Sequence, residues 1–410
     1  MRILLIHQYY LEVDDPGGSR WNEITQVWKS MGCEVTVIAG MMHYNGFEKA
    51  SRYKGKYFVV NDQLGIKVFR CHVSEHYNSS FLGRLWGYFS FVFSSVWAGL
   101  FKVRGQFDIV IVSSPPLFIG ISGYVISRIK RAALVFEIRD LWPESAIDTG
   151  VVTNKFVIKI AYLLEAFIYK KAKLISVLTP AFRTLLIRNK NVSPDKIILI
   201  PNAADFKLSE ELLQNFNGDF FRKQHRLNEN FVITYVGAHG VANHLIQIIE
   251  AAELLKDTPI LFLLIGDGMQ KQMLIEQVSL RGLTNVRFID SVPKQEVFKY
   301  ILASDMGASV LKKADTFKTV YSNKTFDYMS CKKPILMAID GVSRELVENA
   351  NAGIFVDPEN PKDFADKVRM YLQDESLAKN QGLNGYNYAK ANFDRTVLAR
   401  RYLDCLRNMS

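Results

Sequence analysis

Short apolar, β-branched runs alternate with amphipathic stretches along nearly the whole chain. In the first half the runs are RILLIH (2–7), EVTVIA (34–39), DIVIVS (108–113), ALVFEI (133–138), LISVL (174–178) and KIILI (196–200). The second half continues with FVITYVG (231–237), ILFLLIG (260–266), VRFI (286–289), MGASV (306–310) and PILMA (334–338). Strands that are apolar on both faces and separated by helices predict parallel sheets covered on both sides. Two such series predict an α/β chain of two doubly wound, Rossmann-like domains. The seam is expected after IPNAAD (200–205), before a polar, Asn-rich stretch over 212–231. The expected boundaries are 1–203, 204–385 and a helical segment 386–410. The last pattern, DRTVLARRYLDCLRN, has no strand after it and is expected to pack back on the first domain.

One segment departs from this rhythm. LWGYFSFVFSSVWAGLF (85–101) carries no charge over 17 residues and is bounded by Arg84 and Lys102. Its length is at the lower limit for a bilayer span, and two glycines with four Ser or Tyr residues weaken a spanning reading. A buried core helix is one alternative. A monotopic helix lying in the interface is favoured, because aromatic residues and flanking cations suit that depth. Arg84, Trp86, Phe89, Trp97 and Lys102 are its candidate docking residues.

Charge changes the picture further. The 410 residues carry a net charge of +10, and residues 1–200 hold 25 Lys and Arg against 15 Asp and Glu. Residues 201–410 hold 26 of each, so the whole excess lies in the first half. A basic half beside a neutral one points to an anionic surface, with plain solubilising charge as the alternative. The cations are spread over many elements without a nucleic-acid motif, so a membrane surface is expected rather than nucleic acid. Four cysteines, Cys33, Cys71, Cys331 and Cys405, lack metal or disulfide spacing and suggest a reducing compartment. MRILLIH reads as a first strand rather than a signal peptide.

Candidate chemistry collects where strands end. In parallel α/β sheets ligands bind beyond the carboxyl ends of the strands. Arg139 and Asp140 follow ALVFEI there; they face a ligand, or else form a structural ion pair with nearby Glu137. Pro16-Gly17-Gly18 precedes a helical pattern and can present backbone N–H groups to an anion. In the second half, YVGAHG places Gly237 and Gly240 after one strand, and IGDG places Gly266 and Gly268 after the next. Neither completes a dinucleotide fingerprint, since Lys271 occupies the third glycine position, but paired glycine turns suit a diphosphate. In YSNKTFDYMS, Ser322 or Asn323 can cap a helix beginning near Lys324, with Asp327 on the same face as that lysine. Lys324 suits a phosphate and Asp327 a ribose diol; a surface capping box with an ion pair is the bland alternative.

With these residues in place, the chain resembles a retaining glycosyltransferase of family 4 with the two-domain GT-B fold. The resemblance rests on Gly17-Gly18, IPNAAD, IGDG, NVRFID (285–290) and SNKTFDYMSCKKPIL, and it covers nearly the whole chain. RDLWPES and the GAHG turn make it similar to a branch of bacterial O-antigen and capsule enzymes that includes N-acetyl-L-fucosamine transferases. The resemblance implies two domains facing an interdomain cleft. It implies that a UDP-sugar binds the second domain, with the base held around Phe288 and Ile289 and the ribose by Asp327. Gly240, Ser322 and Lys324 would hold the diphosphate, with His239, Gly266 and Asn323 completing the donor set. Asp140, Arg139 and the Gly17-Gly18 loop would lie on the acceptor side. The acceptor implied is a lipid-linked saccharide at the cytoplasmic face of the membrane, and no cofactor or metal is expected. No carboxylate pair or His cluster is spaced to hold a cation beside a diphosphate.

Two departures from the family pattern matter. The first of its two glutamates falls on Thr319, which suggests a donor sugar with fewer hydroxyls, such as a deoxy or amino sugar. Ala238 stands where many relatives carry a phosphate-binding Arg, leaving Lys324 as the cation for the leaving diphosphate. The alternative function is a non-transferring protein of the same fold, such as a UDP-sugar epimerase.

Overall fold

A computed structural model describes residues 1–12, 15, 20–42, 51–75, 81–148, 152–227 and 229–409. The chain divides into two compact units. One holds Met1–Asp14, Ser19–Pro201 and Thr396–Ser410, and the other Asp15–Gly18 with Asn202–Arg395.

The first unit has eight strands: β1 (Arg2–Ile6), β2 (Glu34–Gly40), β3 (Phe58–Gln63), β4 (Ile66–Cys71), β5 (Ile109–Ser114), β6 (Ala133–Ile138), β7 (Leu174–Val177) and β8 (Ile197–Leu199). Their order is β3-β4-β2-β1-β5-β6-β7-β8. All neighbours are parallel except β3 and β4. That antiparallel hairpin corrects the all-parallel expectation. Leu64 and Gly65 take φ of 53° and 75°, and the Asp62 carboxylate accepts the Gly65 N–H at 2.7 Å. Positive φ at both central positions matches the right-handed twist of a two-residue hairpin, so the chain folds straight back. The covering helices are α1 (Arg20–Ser30), α2 (Phe81–Phe101), α3 (Ile119–Lys130), α4 (Glu144–Asp148), α5 (Lys155–Lys171) and α6 (Pro180–Lys190).

In the second unit six parallel strands run β11-β10-β9-β12-β13-β14. They are β9 (Phe231–Val236), β10 (Ile260–Ile265), β11 (Val286–Ile289), β12 (Met306–Val310), β13 (Ile335–Ala338) and β14 (Gly353–Phe355). The helices are α7 (Phe206–Asn215), α8 (Gly218–Gln224), α9 (Ile246–Leu254), α10 (Lys271–Leu280), α11 (Lys294–Ala303), α12 (Asn323–Ser330), α13 (Val342–Asn349), α14 (Pro361–Gln373) and α15 (Glu375–Asn392). The Asn-rich stretch is therefore helical rather than a plain linker. Asn217 caps α8 through the Phe220 N–H, and Phe221 is buried against Val232 and Leu263.

The final helix, α16 (Arg395–Arg407), belongs to the first unit's core. Tyr402 packs edge-on against Trp28 at 5.3 Å, and the Trp28 indole N–H donates to the Ala399 carbonyl at 2.7 Å. Beside them lies a buried ion pair. Arg20, in the first turn of α1, donates to Glu137 on β6 at 3.0 Å. Its guanidinium also donates to the carbonyls of Ile200 at 2.9 Å and Pro201 at 2.6 Å. Ser113 on β5 donates to the other Glu137 oxygen at 3.1 Å. Glu137 thus pairs with Arg20 and not with the Arg139–Asp140 segment.

Removing one side of a buried pair leaves the other charge uncompensated. Glu137→Ala is expected to destabilise the first unit by about 3–5 kcal/mol in urea unfolding. A loss under about 1 kcal/mol would mean that the two backbone carbonyls alone hold the guanidinium.

Candidate functional site

In each sheet the strand order reverses at one point, between β1 and β5 in the first unit and between β9 and β12 in the second. In open α/β sheets such a reversal, at the carboxyl ends of the strands, is where ligands bind. Several of the sequence candidates lie near these two places.

In the first unit, His7 follows β1 and Arg139 follows β6. The Arg139 N–H continues the sheet ladder to the Ser114 carbonyl at 3.1 Å. Its Nη1 meets the His7 Nε2 at 3.2 Å. Burial, with the Arg139 guanidinium beside it, holds the buried His7 well below its ordinary value, as a neutral imidazole. Asp140 comes next and is half-buried. The Ser145 hydroxyl donates to its Oδ2 at 2.8 Å. Burial nevertheless raises the carboxyl to about 6, against the stabilising bonds from Ser145 and the Leu141 backbone. An acid in this range is mostly ionised at neutral pH yet close enough to exchange a proton. Glu144, four residues on, accepts from Lys190 of α6, which also donates to Glu165 of α5 at 2.7 Å. The RDLWPES segment is thereby fastened to two helices. His7 and Lys190 escaped the sequence reading, because nothing in their own neighbourhoods marks them. Gly17 and Gly18 lie outside the described residues.

In the second unit the glycine turns fit backbone against backbone. The Gly237 N–H donates to the Ile265 carbonyl at 3.0 Å, and the His239 N–H to the Asp267 carbonyl at 2.8 Å. Gly266 has φ of 146°, and a Cβ on it would lie 1.9 Å from the Gly237 carbonyl oxygen. Side chains at this contact are excluded on both counts. Gly240 is different: its φ is −106°, and a Cβ there would meet only Asn243 at 3.4 Å. His239 is fully buried behind the turns, near Phe288 at 6.0 Å, and neither ring nitrogen has a hydrogen-bond partner. Burial, and then the nearby Lys271 ammonium, lower it to about 4. It backs the turns in its neutral form rather than facing solvent. Lys271 closes the second turn by donating to the Gly266 carbonyl at 2.9 Å. Phe288 and Ile289 are half-buried on the edge strand β11.

Lys324 stands at the reversal of this sheet. Its ammonium lies 4.8 Å from the centre of the Tyr235 ring and 3.5 Å from the Ser322 hydroxyl. Its Cε lies 3.4 Å from where a Gly237 Cβ would be. Burial lowers its value to about 8, only partly offset by the Asp327 carboxylate. Ser322 occupies the N-cap position of α12, but its hydroxyl makes no cap bond; it accepts from Ser309 on β12 at 2.8 Å. This corrects the expectation of a Ser322 side-chain cap. The exposed Asn323 opens the helix, and Thr319 lies in a short 3-10 turn with its hydroxyl on the Thr316 carbonyl at 2.6 Å. Gly237, Lys324 and Ser322 are thus brought together, with His239, Gly266 and Phe288 around the adjoining turn. Among the described residues no three His, Cys, Asp or Glu side chains gather to hold a metal ion.

The α2 residues divide. Trp86 and Trp97 are exposed, and the exposed Lys102 places its ammonium 5.1 Å from the Trp97 ring centre. Phe89 turns inward against Phe118 at 4.9 Å, which corrects its expected outward role; Phe93 and Phe101 occupy the open face instead. The Arg84 side chain lies outside the described residues. No helix among them is long and apolar enough to cross a membrane.

Comparison with known proteins gives this geometry a context. Residues 17–203 match the family described as glycosyl transferase 4-like domain, and residues 217–388 match glycosyl transferases group 1. WcaI of Escherichia coli K12, named for a glycosyl transfer in colanic acid biosynthesis, is 22% identical over 95% of this chain and 96% of its own. A Campylobacter jejuni protein is 24% identical over 62% of this chain and 65% of its own. It is named N-acetylgalactosamine-N,N'-diacetylbacillosaminyl-diphospho-undecaprenol 4-alpha-N-acetylgalactosaminyltransferase. Among solved structures, Anabaena HepE in complex with UDP-glucose is similar with a TM-score of 0.73 at 18% identity, covering 100% of both chains. The glycosyltransferase WaaG gives 0.70 at 16% identity, over 98% of this chain and 99% of its own. The fold is GT-B.

The raised Asp140 carboxyl has a consequence for stability. The native state keeps its proton to about pH 6, whereas an ordinary aspartic acid carboxyl releases it near 3.8. Its contribution is therefore complete below the lower value and is lost as pH rises through about 6. Asp140→Asn is expected to gain thermal stability relative to wild type on going from pH 4.5 to pH 7.5. Parallel melting temperatures across that range would show that the carboxyl is not raised.

Proposed function

We propose that this chain, made of a glycosyl transferase 4-like domain followed by a glycosyl transferases group 1 domain, is a metal-independent retaining glycosyltransferase of bacterial surface polysaccharide synthesis. It moves a sugar from a UDP-sugar to a polyprenyl-diphosphate-linked saccharide. The observation that carries this reading is the Lys324 ammonium at the reversal of the second sheet, beside the closed glycine turns. Burial has cost it part of its proton affinity, and an arriving diphosphate restores the charge balance. The relatives named for colanic acid and for an undecaprenol-linked substrate support the pathway class.

Residues 204–385 hold the donor. Gly240, Ser322, Asn323 and Lys324 take the diphosphate, Asp327 the ribose hydroxyls, and the backbone at Phe288 and Ile289 the base. Gly266 lets the turns close, and His239 supports them from behind. Thr319, in place of a carboxylate, favours a deoxy or amino sugar such as N-acetyl-L-fucosamine. Residues 1–203 hold the acceptor, with Asp140, Arg139 and the Gly17-Gly18 loop at the reacting end and α2 against the membrane. The new glycosidic bond forms on the face from which UDP leaves, and the leaving phosphate oxygen takes the acceptor proton. Lys324 stabilises the negative charge gathering on that phosphate, an effect typically worth a few kcal/mol. The Asp140 carboxylate orients the acceptor hydroxyl.

The test is a panel of UDP-sugars with membranes bearing polyprenyl-diphosphate saccharides, with the product anomer read by NMR. Acceptor-dependent UDP release that Asp140→Ala abolishes, with UDP binding intact, is the expected result. Sugar epimerisation without an acceptor would support the epimerase instead. UDP affinity should also fall as pH rises past about 8, because free Lys324 loses its proton there. Lys324→Met should weaken UDP about 10–100-fold at pH 7 and flatten this dependence. An unchanged profile in titration calorimetry would remove Lys324 from the diphosphate site.

A further inference from the structure

We propose that α5 supplies a second lipid-docking stripe and that α2 and α5 together form one face that lies on an anionic bilayer. This rests on the membrane placement above, which invoked α2 alone.

An ordinary surface helix buries its apolar face and exposes polar residues. α5 carries a second apolar face as well. Phe156, Ile160, Leu163 and Phe167 are spaced i, i+4, i+7, i+11 and share one exposed face, Phe156 being 71% and Leu163 62% exposed. Ala161, Glu165 and Ile168, on the opposite side, are buried. The stripe runs about 16 Å along the helix. On α2 the exposed Trp86, Phe93, Trp97 and Phe101 make a parallel case over about 22 Å. The two helices flank α3 in one layer. The Ser95 and Ser122 hydroxyls bond at 2.8 Å on one side, and Phe167 meets Tyr124 edge-on at 4.9 Å on the other. Exposed Ile129 on α3 adds to the surface between them.

Charge selects the occupant. Lys155, Lys159, Lys170 and Lys171 of α5 are all exposed, and Lys171 lies over the Phe167 ring at 5.8 Å. The single carboxylate of α5, Glu165, is buried against Lys190. The outer surface of this helix is therefore apolar at its centre and cationic at its margins. That matches acyl chains bordered by anionic headgroups. A second copy docked by two-fold symmetry would oppose like-charged margins.

The test uses the full chain with vesicles of phosphatidylcholine alone or mixed with phosphatidylglycerol, read by flotation. Wild type is expected to float with the anionic vesicles. Phe156→Ser/Leu163→Ser should reduce binding about tenfold or more, as should Trp86→Ser/Phe101→Ser. Lys159→Glu/Lys170→Glu, which spares all apolar packing, should lose only the preference for anionic lipid. UDP binding, measured alongside, is expected to stay unchanged. The proposal is overturned if the α5 variants float like wild type while the α2 variants do not. It is also overturned if wild type ignores both vesicles, or if sedimentation shows a dimer that the α5 variants dissolve. Normal flotation with no sugar transfer would count against the transferase reading and leave the docking face standing.

Discussion

The first unit depends on a full charge pair held in its interior. Desolvating a guanidinium and a carboxylate costs several kcal/mol per ion, so the pair persists only where its remaining hydrogen bonds are met. Arg20 and Glu137 meet most of that demand with bonds from Ser113 and to the carbonyls of Ile200 and Pro201, leaving the buried Arg20 Nε without a partner. The consequence is topological. One guanidinium at the start of α1 reaches β6 and the chain just past β8, 117 and 180 residues further on. Glu137 also lies near Tyr402, so the returning helix α16 closes over the same spot. A strand that ends in charge is thus two things in sequence. Glu137 points inward to a buried partner, while Arg139 and Asp140 lie half-buried at the carboxyl end of the sheet.

The second unit is governed by steric exclusion instead. Its two glycine turns approach until no Cβ fits at Gly266, and Lys271 fastens the second turn to the Gly266 carbonyl. Such a contact leaves a backbone-lined edge, with the buried His239 ring packed behind it. Lys324 is the cation that remains beside the first turn, held between the Tyr235 ring and Ser322. A partly desolvated ammonium interacts more strongly with a phosphate than one in bulk water, since the local dielectric is lower. The Ser322 N–H donates to the Ser343 hydroxyl of α13, its own hydroxyl accepts from Ser309 of β12, and Thr325 donates to Ser309, so the loop before α12 has little freedom to shift.

How much of this could be read from the sequence follows from what each feature depends on. The long apolar strands were legible because burial on both faces leaves no alternation to misread, as in β5 and β10. β3 was not, since an edge strand with residues such as Asn61 and Asp62 looks like loop. α7 and α8 were hidden by the Asn residues that prove to cap and border helices. Among the candidate residues, Gly237, Gly266, Ser322 and Lys324 were legible through strand–turn–helix spacing. The inward turn of Phe89 and the hydroxyl of Ser322 were not, because rotamer and partner are decided by distant segments. The Arg20–Glu137 and Lys190–Glu144 pairs are long-range facts with no local signature, separated by 117 and 46 positions.

Lys190 also bears on how the two faces of α5 relate. Its ammonium bridges Glu144 of α4 and Glu165 of α5, and burial raises the Glu165 carboxyl while the Lys190 bond offsets it. Two carboxylates sharing one half-buried ammonium resist its removal, since without it they are left facing each other in a low-dielectric setting. The helix whose outer face carries the apolar stripe is therefore clamped, through its inner face, to the segment that holds Asp140. A force on α5 that tilts it relative to the sheet must either stretch this triad or carry α4 along. Asp140 and α5 are thus joined through a single buried charge cluster, by way of Glu144 four residues on.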